Sequence, residues 1–468
     1  AGFFGRLNYN YKEKYLLEVN GRYDGTSRFM KDQRWNFFPS FSLGWNVARE
    51  NFWKPLESVV NQFKLRGSWG ELGNQNTSNL YPFYEILPVK SNSGNWLVNG
   101  GKTNTADIPS LVSTLLTWER VRSFNVGFDF GAFSNRLTGS FDYFVRKTVD
   151  MVGPAPQLPL VLGIAPAIVN NADMKSYGFE IELSWRDRIG EVDYGVKFNL
   201  ADAQQKVVKY PNTTNAFSDW YAGKMSGEIW GYTSLGIAKT DEEMKEHLAS
   251  LPNGGQNQLG NKWGAGDIMY ADINGDGKVD GGKGTLADPG DQRIIGNSTP
   301  RYNFGLVLDA SYKGFDVSIF FQGVGKRDYA PIVGTNGAVF WGAVNNIWQS
   351  MAMEEHFDYF RPEGHPMGAN LNGYYPRPDF TSNKNHQVQT RYLQDASYIR
   401  LKNLQIGYTL PKQWINKLHI NRCRVYVSGD NLWTGTSLAS MFDPETLAAG
   451  DWGSGKTYPL SKVISFGL

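Results

Sequence analysis

Alternation with a period of two residues dominates this chain. In FNVGFDFG, Phe124, Val126, Phe128 and Phe130 alternate with Asn125, Gly127, Asp129 and Gly131, so an extended backbone puts the large apolar side chains on one face and the small or polar ones on the other. YGFEIELSWRD repeats the rule, with Tyr177, Phe179, Ile181, Leu183 and Trp185 opposing Gly178, Glu180, Glu182, Ser184 and Arg186. Further alternating segments start at Tyr15, Pro39, Phe63, Arg136, Tyr194, Phe304, Tyr398 and Cys423. About a dozen strands result, each near the roughly 10 residues that a tilted strand needs to cross a bilayer.

The connections fall into two kinds. KEK at Lys12 to Lys14, SNR at Ser134 to Arg136, RIGE at Arg188 to Glu191 and YKG at Tyr312 to Gly314 are tight, whereas 74–117, 148–174, 202–300 and 324–392 are long and rich in Gly, Pro and Asn. Short turns on one rim and long loops on the other mark an outer-membrane barrel with its long loops extracellular. Tyr15, Tyr23, Trp45, Trp69, Trp185 and Trp433 fall at strand ends, where amphipathic rings suit the two membrane interfaces. The predicted fold is therefore all-β, a transmembrane antiparallel β-barrel. Its register turns Phe128, Phe141, Phe179, Ile181, Phe198 and Leu308 to lipid, and Asp129, Asp142, Glu180, Glu182, Lys197 and Asp309 to the lumen. A large soluble all-β protein is the alternative that alternation alone leaves open.

Composition agrees with the barrel. Aromatic residues make up 14% of 468 residues, with 52 Gly and 15 Trp, mean hydropathy is −0.42, and no run of about 18 apolar residues is present to span a bilayer as a helix. A net charge of +2 gives no electrostatic reason to expect nucleic acid as a partner. Cys423, the single cysteine, forms no intramolecular disulfide and reads as a small apolar packing residue. The first residues carry neither Met nor a basic and apolar leader, so a processed or internal start is expected. One short loop helix is predicted in TDEEMKEHLASLPNGG, with Thr240 as N-cap and Glu243 as its capping-box partner.

Candidate chemistry concentrates in DINGDGKVD. Asp272, Asn274 and Asp276 supply oxygens at positions 1, 3 and 5 of a calcium loop, Gly277 the turn, Lys278 its carbonyl and Asp280 position 9. Position 12 is Lys283 and no helix pattern flanks the loop, which excludes an EF-hand switch. The expectation is a structural Ca2+, or Mg2+, completed by a later oxygen such as Asp288 or Asp291 and bracing a loop at about 260–295; an ion-free loop of Asx turns is the other reading. GDWGSGKT at 450–457 satisfies the P-loop pattern but lacks the strand before it and the helix after it, so nucleotide binding is not expected. His247, His356, His365, His386 and His419 show no ligand spacing, and nothing argues for an enzyme.

FFGRLNYNYKEKYLLEVNGRYDGTSRF, FFPSFSLGWNVARENFW, FKLRGSWGELGNQ and WERVRSFNVGFDFGAFSNRLTGSFDYFVRKTVDM, followed by GDIMYADINGDGKVD, DQRIIGNSTPRYNFGL, ASYIRLKNLQIGYTLP and YPLSKVISFGL, resemble in order the barrel of the SusC/RagA family of TonB-dependent outer-membrane transporters of Bacteroidetes. The resemblance spans essentially the whole chain. It implies a barrel of about 22 strands closed by an N-terminal plug, of which residues 1–468 look like the C-terminal part, without the plug and the early strands. It also implies import of a glycan or peptide in the outer membrane with energy from the TonB–ExbB–ExbD complex, under a SusD-like surface lipoprotein. A passive porin and a soluble calcium-stabilised binding or hydrolytic protein are the competing readings. Trp96, Trp220, Tyr374 and Tyr375, in aromatic loop segments, are candidates for stacking on substrate, with loop packing or contact with the lipoprotein as their other reading.

Overall fold

The computed structural model describes residues 1–75, 80–153, 161, 163–164, 167–331, 338–342, 352–379, 384–416, 420–447 and 457–468. Thirteen strands form its main sheet: β1 (Gly2–Tyr11), β2 (Tyr15–Gly25), β3 (Trp35–Asn46), β4 (Val60–Asn74), β5 (Glu119–Ala132), β6 (Leu137–Gly153), β7 (Val169–Ile189), β8 (Val192–Lys209), β9 (Arg301–Tyr312), β10 (Phe315–Lys326), β11 (Tyr398–Thr409), β12 (Arg424–Thr436) and β13 (Val463–Gly467). Their order in the sheet is their order in the chain. By contact the chain divides into two units, one made of Ala1–Ile181, Ala203–Asn215 and Asp219–Met225, the other of Glu182–Asp202, Ala216–Ser218 and Ser226–Leu468.

In the first unit the antiparallel register confirms the two faces. Leu17 lies opposite Leu43, Phe41 opposite Trp69, Leu65 opposite Phe128 and Phe128 opposite Phe141, while Ser42 faces Ser68, Lys64 faces Asp129 and Gly127 faces Asp142. Aromatic rings stack along the apolar face, Phe41 on Trp69 at 5.4 Å and Phe128 on Phe141 at 5.7 Å. Strand ends carry aromatic rows as well. Tyr15 stacks on Tyr11 and Trp45 at one end of β2, and Tyr23 stacks on Trp35 at the other. The 8 residue steps between Tyr15 and Tyr23 span roughly 26 Å of extended chain, close to an apolar band about 25 Å tall.

The second unit continues the rule. Leu308 pairs with Val196 and Ile319, and Ile319 with Leu404, on one face, while Asp309 pairs with Gly195 and Ser318 on the other. Lys313 and Gly314, with φ of 46° and 90°, make the two-residue turn between β9 and β10, the left-handed pair that matches strand twist. β11 carries a bulge at Lys402, its extra residue against β10, where the adjacent Phe320 and Phe321 pair with Asn403 and Leu401. An unbroken alternation would have put Lys402 on the apolar face with Leu404 and Ile406. The extra residue leaves Leu401 opposite Trp433 and lets the Lys402 ammonium reach Glu445 at 2.7 Å.

Burial is inverted relative to a water-soluble sandwich. On the apolar face of the sheet, Leu43 is 59% and Phe466 80% exposed, whereas fully buried side chains such as Tyr270, Tyr392, Phe340 and Met244 sit in the connections. The sheet face thus needs an apolar solvent, and the loops carry their own core. Strands also intrude on segments expected to be loop: β6 runs to Gly153, β7 starts at Val169 and β8 continues to Lys209. Their outer ends remain paired beyond the membrane-length segment, which alternation weighted by hydrophobicity does not reveal.

Candidate functional site in the loops and on the polar face

Charged pairs tie neighbouring strands together on the polar face. In the first unit Arg66 bridges Asp129 at 3.0 Å and Asp142 at 2.5 Å. In the second unit Arg301 pairs with Asp202, Arg424 with Asp316, and Arg400, almost fully buried, with Asp443 at 2.8 Å and Glu445 at 2.7 Å. Each guanidinium answers a carboxylate, so the face is polar and preorganised without a large net charge.

The loops of the second unit form a folded body. Tyr232, Ile268, Tyr270, Val279, Phe340, Trp341, Tyr375, Tyr392 and Phe442 share one apolar core. At its edge Asp267 is fully buried. Its carboxylate accepts from Arg377 Nε and Nη2 at 2.8 and 2.7 Å, Lys384 Nζ at 2.9 Å, Asn385 Nδ2 at 2.9 Å and the backbone N–H of Gly264 at 2.9 Å. A buried carboxylate persists only when so matched. The Gln256 amide completes strand-like bonding there, donating to the Ile268 carbonyl and accepting from Tyr270 N–H. The predicted helix is Asp241–Ala249, with Thr240 Oγ1 accepting from Glu243 N–H at 3.1 Å; the Glu243 carboxylate reaches Lys239 N–H instead of closing the box on Thr240.

DINGDGKVD folds as a succession of Asx turns. The Asp272 carboxylate accepts from Gly275 and Gly277 N–H at 2.7 and 2.8 Å, Asn274 Oδ1 from Asp276 N–H at 3.0 Å, and Asp276 Oδ1 from Lys278 N–H at 3.1 Å. Gly275 and Gly277, at φ 75° and 79°, supply the left-handed positions. Of the two later oxygens expected, Asp291 enters the loop: fully buried, it accepts from Ile273, Asn274 and Asp280 N–H at 2.7, 3.3 and 2.8 Å. The Lys278 ammonium bonds Asp280 and stands 3.8 Å from Asp276, and that hydrogen bond first of all holds the Asp280 carboxyl below its ordinary pKa. Asp272, Asn274 and Asp276 lie at the loop positions that the motif requires. Among the described residues, however, no three carboxylate, imidazole or thiol groups converge as a ligand set, and the cation against Asp280 is the loop's own lysine.

The four aromatic candidates separate. Tyr374 and Tyr375 come together, perpendicular at 5.0 Å, in the loop core; Gln394 Nε2 donates to Tyr374 Oη at 2.9 Å, and Tyr375 is 7% exposed. Both rings pack against that core. Trp96 is exposed beside the small hairpin of Leu97–Val98 and Gly101–Lys102. Trp220 lines a cleft of about 410 Å³ in the first unit with Met151, Met174, Val207 and Tyr210, and the Lys224 ammonium lies 5.9 Å from its ring centre. Residues 450–456 of GDWGSGKT lie outside the described residues. Asp267, Arg377, Lys384 and Asn385 escaped sequence reasoning because Asp267 lies more than a hundred residues before the other three and no spacing announces the set.

Comparison with known proteins gives one consistent result. The family described as TonB dependent receptor-like, beta-barrel matches residues 1–432. TonB-dependent receptor P3 of Formosa agariphila is 30% identical, covering 99% of this chain and 45% of the relative. TonB-dependent receptor SusC of Bacteroides thetaiotaomicron is 24% identical over 100% of this chain and 43% of its own length. Among solved structures, that of the RagAB peptide transporter superposes with a TM-score of 0.73 at 23% identity, covering 98% of this chain and 46% of the other, a likeness of fold. The chain thus spans less than half the length of the relatives it matches.

Proposed function

The chain belongs to the TonB-dependent receptor β-barrel family, SusC- and RagA-like, of the outer membrane, and on that premise we propose that it supplies barrel wall and surface loops to an active importer of a bulky nutrient, a glycan or a peptide. One observation carries the reading: a sheet with one exposed apolar face and one ion-paired polar face, joined to long connections that fold around a core of their own. The apolar face meets lipid, the polar face lines the lumen, and the loops select what enters. An energy source in TonB and its ExbB–ExbD partners, and a SusD-like surface lipoprotein over the loops, accord with the SusC and RagAB relatives. A passive porin needs neither.

For the loop at 272–291 the proposal retains a structural divalent ion. Asp272, Asn274, Asp276 and Asp280, with the Lys278 carbonyl, would hold it, and its charge would take the place of the Lys278 ammonium beside Asp280. The test of the importer is uptake by cells carrying the intact protein. Nutrient accumulation that disappears on loss of TonB or of the proton gradient, together with copurification of a surface lipoprotein, supports active import; accumulation that persists without TonB supports the porin.

A further inference from the structure

The tight-turn rim of the first unit carries one connection that is not tight. Residues 47–59, VARENFWKPLESV, join β3 to β4 beside the turns at Lys12–Lys14 and Ser134–Arg136, and the Val59 carbonyl accepts from Phe133 N–H at 2.8 Å. That rim of an outer-membrane barrel is the periplasmic one. Asn51–Leu56 is a 3-10 helix, in which side chains eclipse every third residue. The spacing sets Asn51 and Lys54 on one edge and gives the other two edges to Phe52 with Pro55 and Trp53 with Leu56. Two ring contacts place the segment on the lipid side of the sheet. Phe52 meets Trp45 edge-on at 6.5 Å and Trp53 lies flat on Phe63 at 5.3 Å, and both partners belong to the apolar face, Trp45 opposite Leu65 and Phe63 opposite Phe130. The Glu50 carboxylate fastens the segment there, accepting from Lys14 Nζ at 2.9 Å, Tyr15 Oη at 2.6 Å and Trp45 Nε1 at 3.2 Å. Phe52 is nonetheless 63% and Leu56 51% exposed, and Val59 is exposed as well.

We propose that this segment is an interfacial anchor: Phe52 and Leu56 enter the headgroup–acyl boundary of the periplasmic leaflet, and the exposed Lys54 extends its ammonium to the phosphates. The inference concerns the seating of the barrel in its membrane and goes beyond the importer reading. Apolar side chains left bare on one segment mark an interaction surface. Through Trp45 and Phe63 this surface is continuous with the apolar face, so it begins where the lipid-facing wall ends. Trp45 stands in the aromatic row with Tyr15, at the level where amphipathic rings meet headgroups. Arg49 and Lys54 balance Glu50 and Glu57, so no net charge favours a polar partner and apolar insertion has to supply the contact. The polar edge of Asn51 and Lys54 fits the same boundary, since a lysine stem can lie along lipid while its ammonium stays among the headgroups.

The test is depth-resolved quenching on the intact protein carrying Cys423→Ser, in vesicles of phosphatidylethanolamine and phosphatidylglycerol. Bimane is attached after Phe52→Cys, Leu56→Cys, Glu57→Cys or Val19→Cys, all at exposed positions, and challenged with lipid nitroxides near the headgroup or at the acyl end and with aqueous iodide. Labels at 52 and 56 should be quenched at least about twofold more by the shallow nitroxide than by the deep one, and be shielded from iodide. The label at 57 should be open to iodide. The label at 19, halfway between Tyr15 and Tyr23 on the apolar face, should answer most to the deep nitroxide and reports on the wall separately. Labels at 52 and 56 open to iodide and indifferent to both nitroxides, with 19 still quenched, would overturn the anchor and leave the wall standing. Shielding that disappears as the protein is diluted into lipid would assign the surface to a second copy, and shielding found only in cell envelopes would assign it to a periplasmic partner; either result overturns the proposal.

Discussion

Arg66 on β4 grips Asp142 on β6 across the whole width of β5, Nη1 to Oδ1 at 2.6 Å and Nη2 to Oδ2 at 2.5 Å. Two strand spacings are about 9.5 Å, so the side chains must lie on one face, and Gly127, the residue between them in register, lies on that same face and leaves the path open for want of a side chain. Val126 is on the apolar side, opposite Gly67, and Asn125 is on the polar side, opposite Ser68. Val126→Arg should cost about 2 to 4 kcal/mol of barrel stability, whereas Asn125→Arg should change it by about 0.5 kcal/mol or less. Denaturant unfolding of the intact protein in lipid vesicles measures both, and equal costs would contradict the assigned faces.

Asp267→Ala should be the most damaging single change in the loops. It leaves Lys384, 1% exposed, without its nearest carboxylate and frees Arg377 from its bidentate partner. Breaking such a buried pair costs about 3 to 5 kcal/mol. The loss should be local, read as faster hydrogen exchange at Ile268 and Tyr270 with protection of the sheet strands retained.

Legibility followed periodicity. The strands, their faces and the tight turns were readable because lipid on one side and water on the other impose a period of two on every strand. Lys402 was not, since a bulge breaks that period without a mark in the sequence. Phe38 has polar-face parity in β3, yet it packs with Phe29, Leu116 and Trp118 in a small loop core. The larger core was invisible for the same reason: Tyr232, Tyr270, Trp341, Tyr375, Tyr392 and Phe442 meet through chain reversals that leave no repeat. In the DINGDGKVD loop the oxygen positions were legible, and the ion pair of Lys278 with Asp280 was not.

Acid should loosen the loops around His386. Its pKa is pushed down to about 4 by burial, against 6.5 when the loop is open, with Asp379 as the neighbouring charge. Between pH 6.5 and 4 the open form binds a proton that the closed form refuses, so closure weakens as pH falls through that window, by about 3 kcal/mol at its end, and is flat above it. Hydrogen exchange of residues 384–392, corrected for intrinsic rates, should show this slope, and His386→Phe should remove it. A slope unchanged in the variant would assign it to another group.

Asp291→Ala should release the 272–280 loop, because one carboxylate serves three backbone N–H groups there, at a cost of about 3 kcal/mol of local stability. If the loop takes calcium, added Ca2+ should raise exchange protection at 272–280 in the parent protein and not in Asp276→Ala. Protection indifferent to Ca2+ in both would leave the loop braced without an ion, by Asp291, its Asx turns and the pair of Lys278 with Asp280.

The account depends most on the apolar face being a wall against lipid, and single cysteines test that directly. With Cys423 replaced by Ser in the intact protein, cysteines placed at Asn125, Val126, Val427 and Ser428 are challenged in outer membranes with a water-soluble thiol reagent and, after bimane labelling, with a lipid-borne quencher. Cysteine at Val126 and Val427 should resist the reagent and be quenched from the lipid, while cysteine at Asn125 and Ser428 should escape the quencher. Uniform reagent access with no lipid quenching at any of the four positions would contradict the membrane wall and the importer built on it.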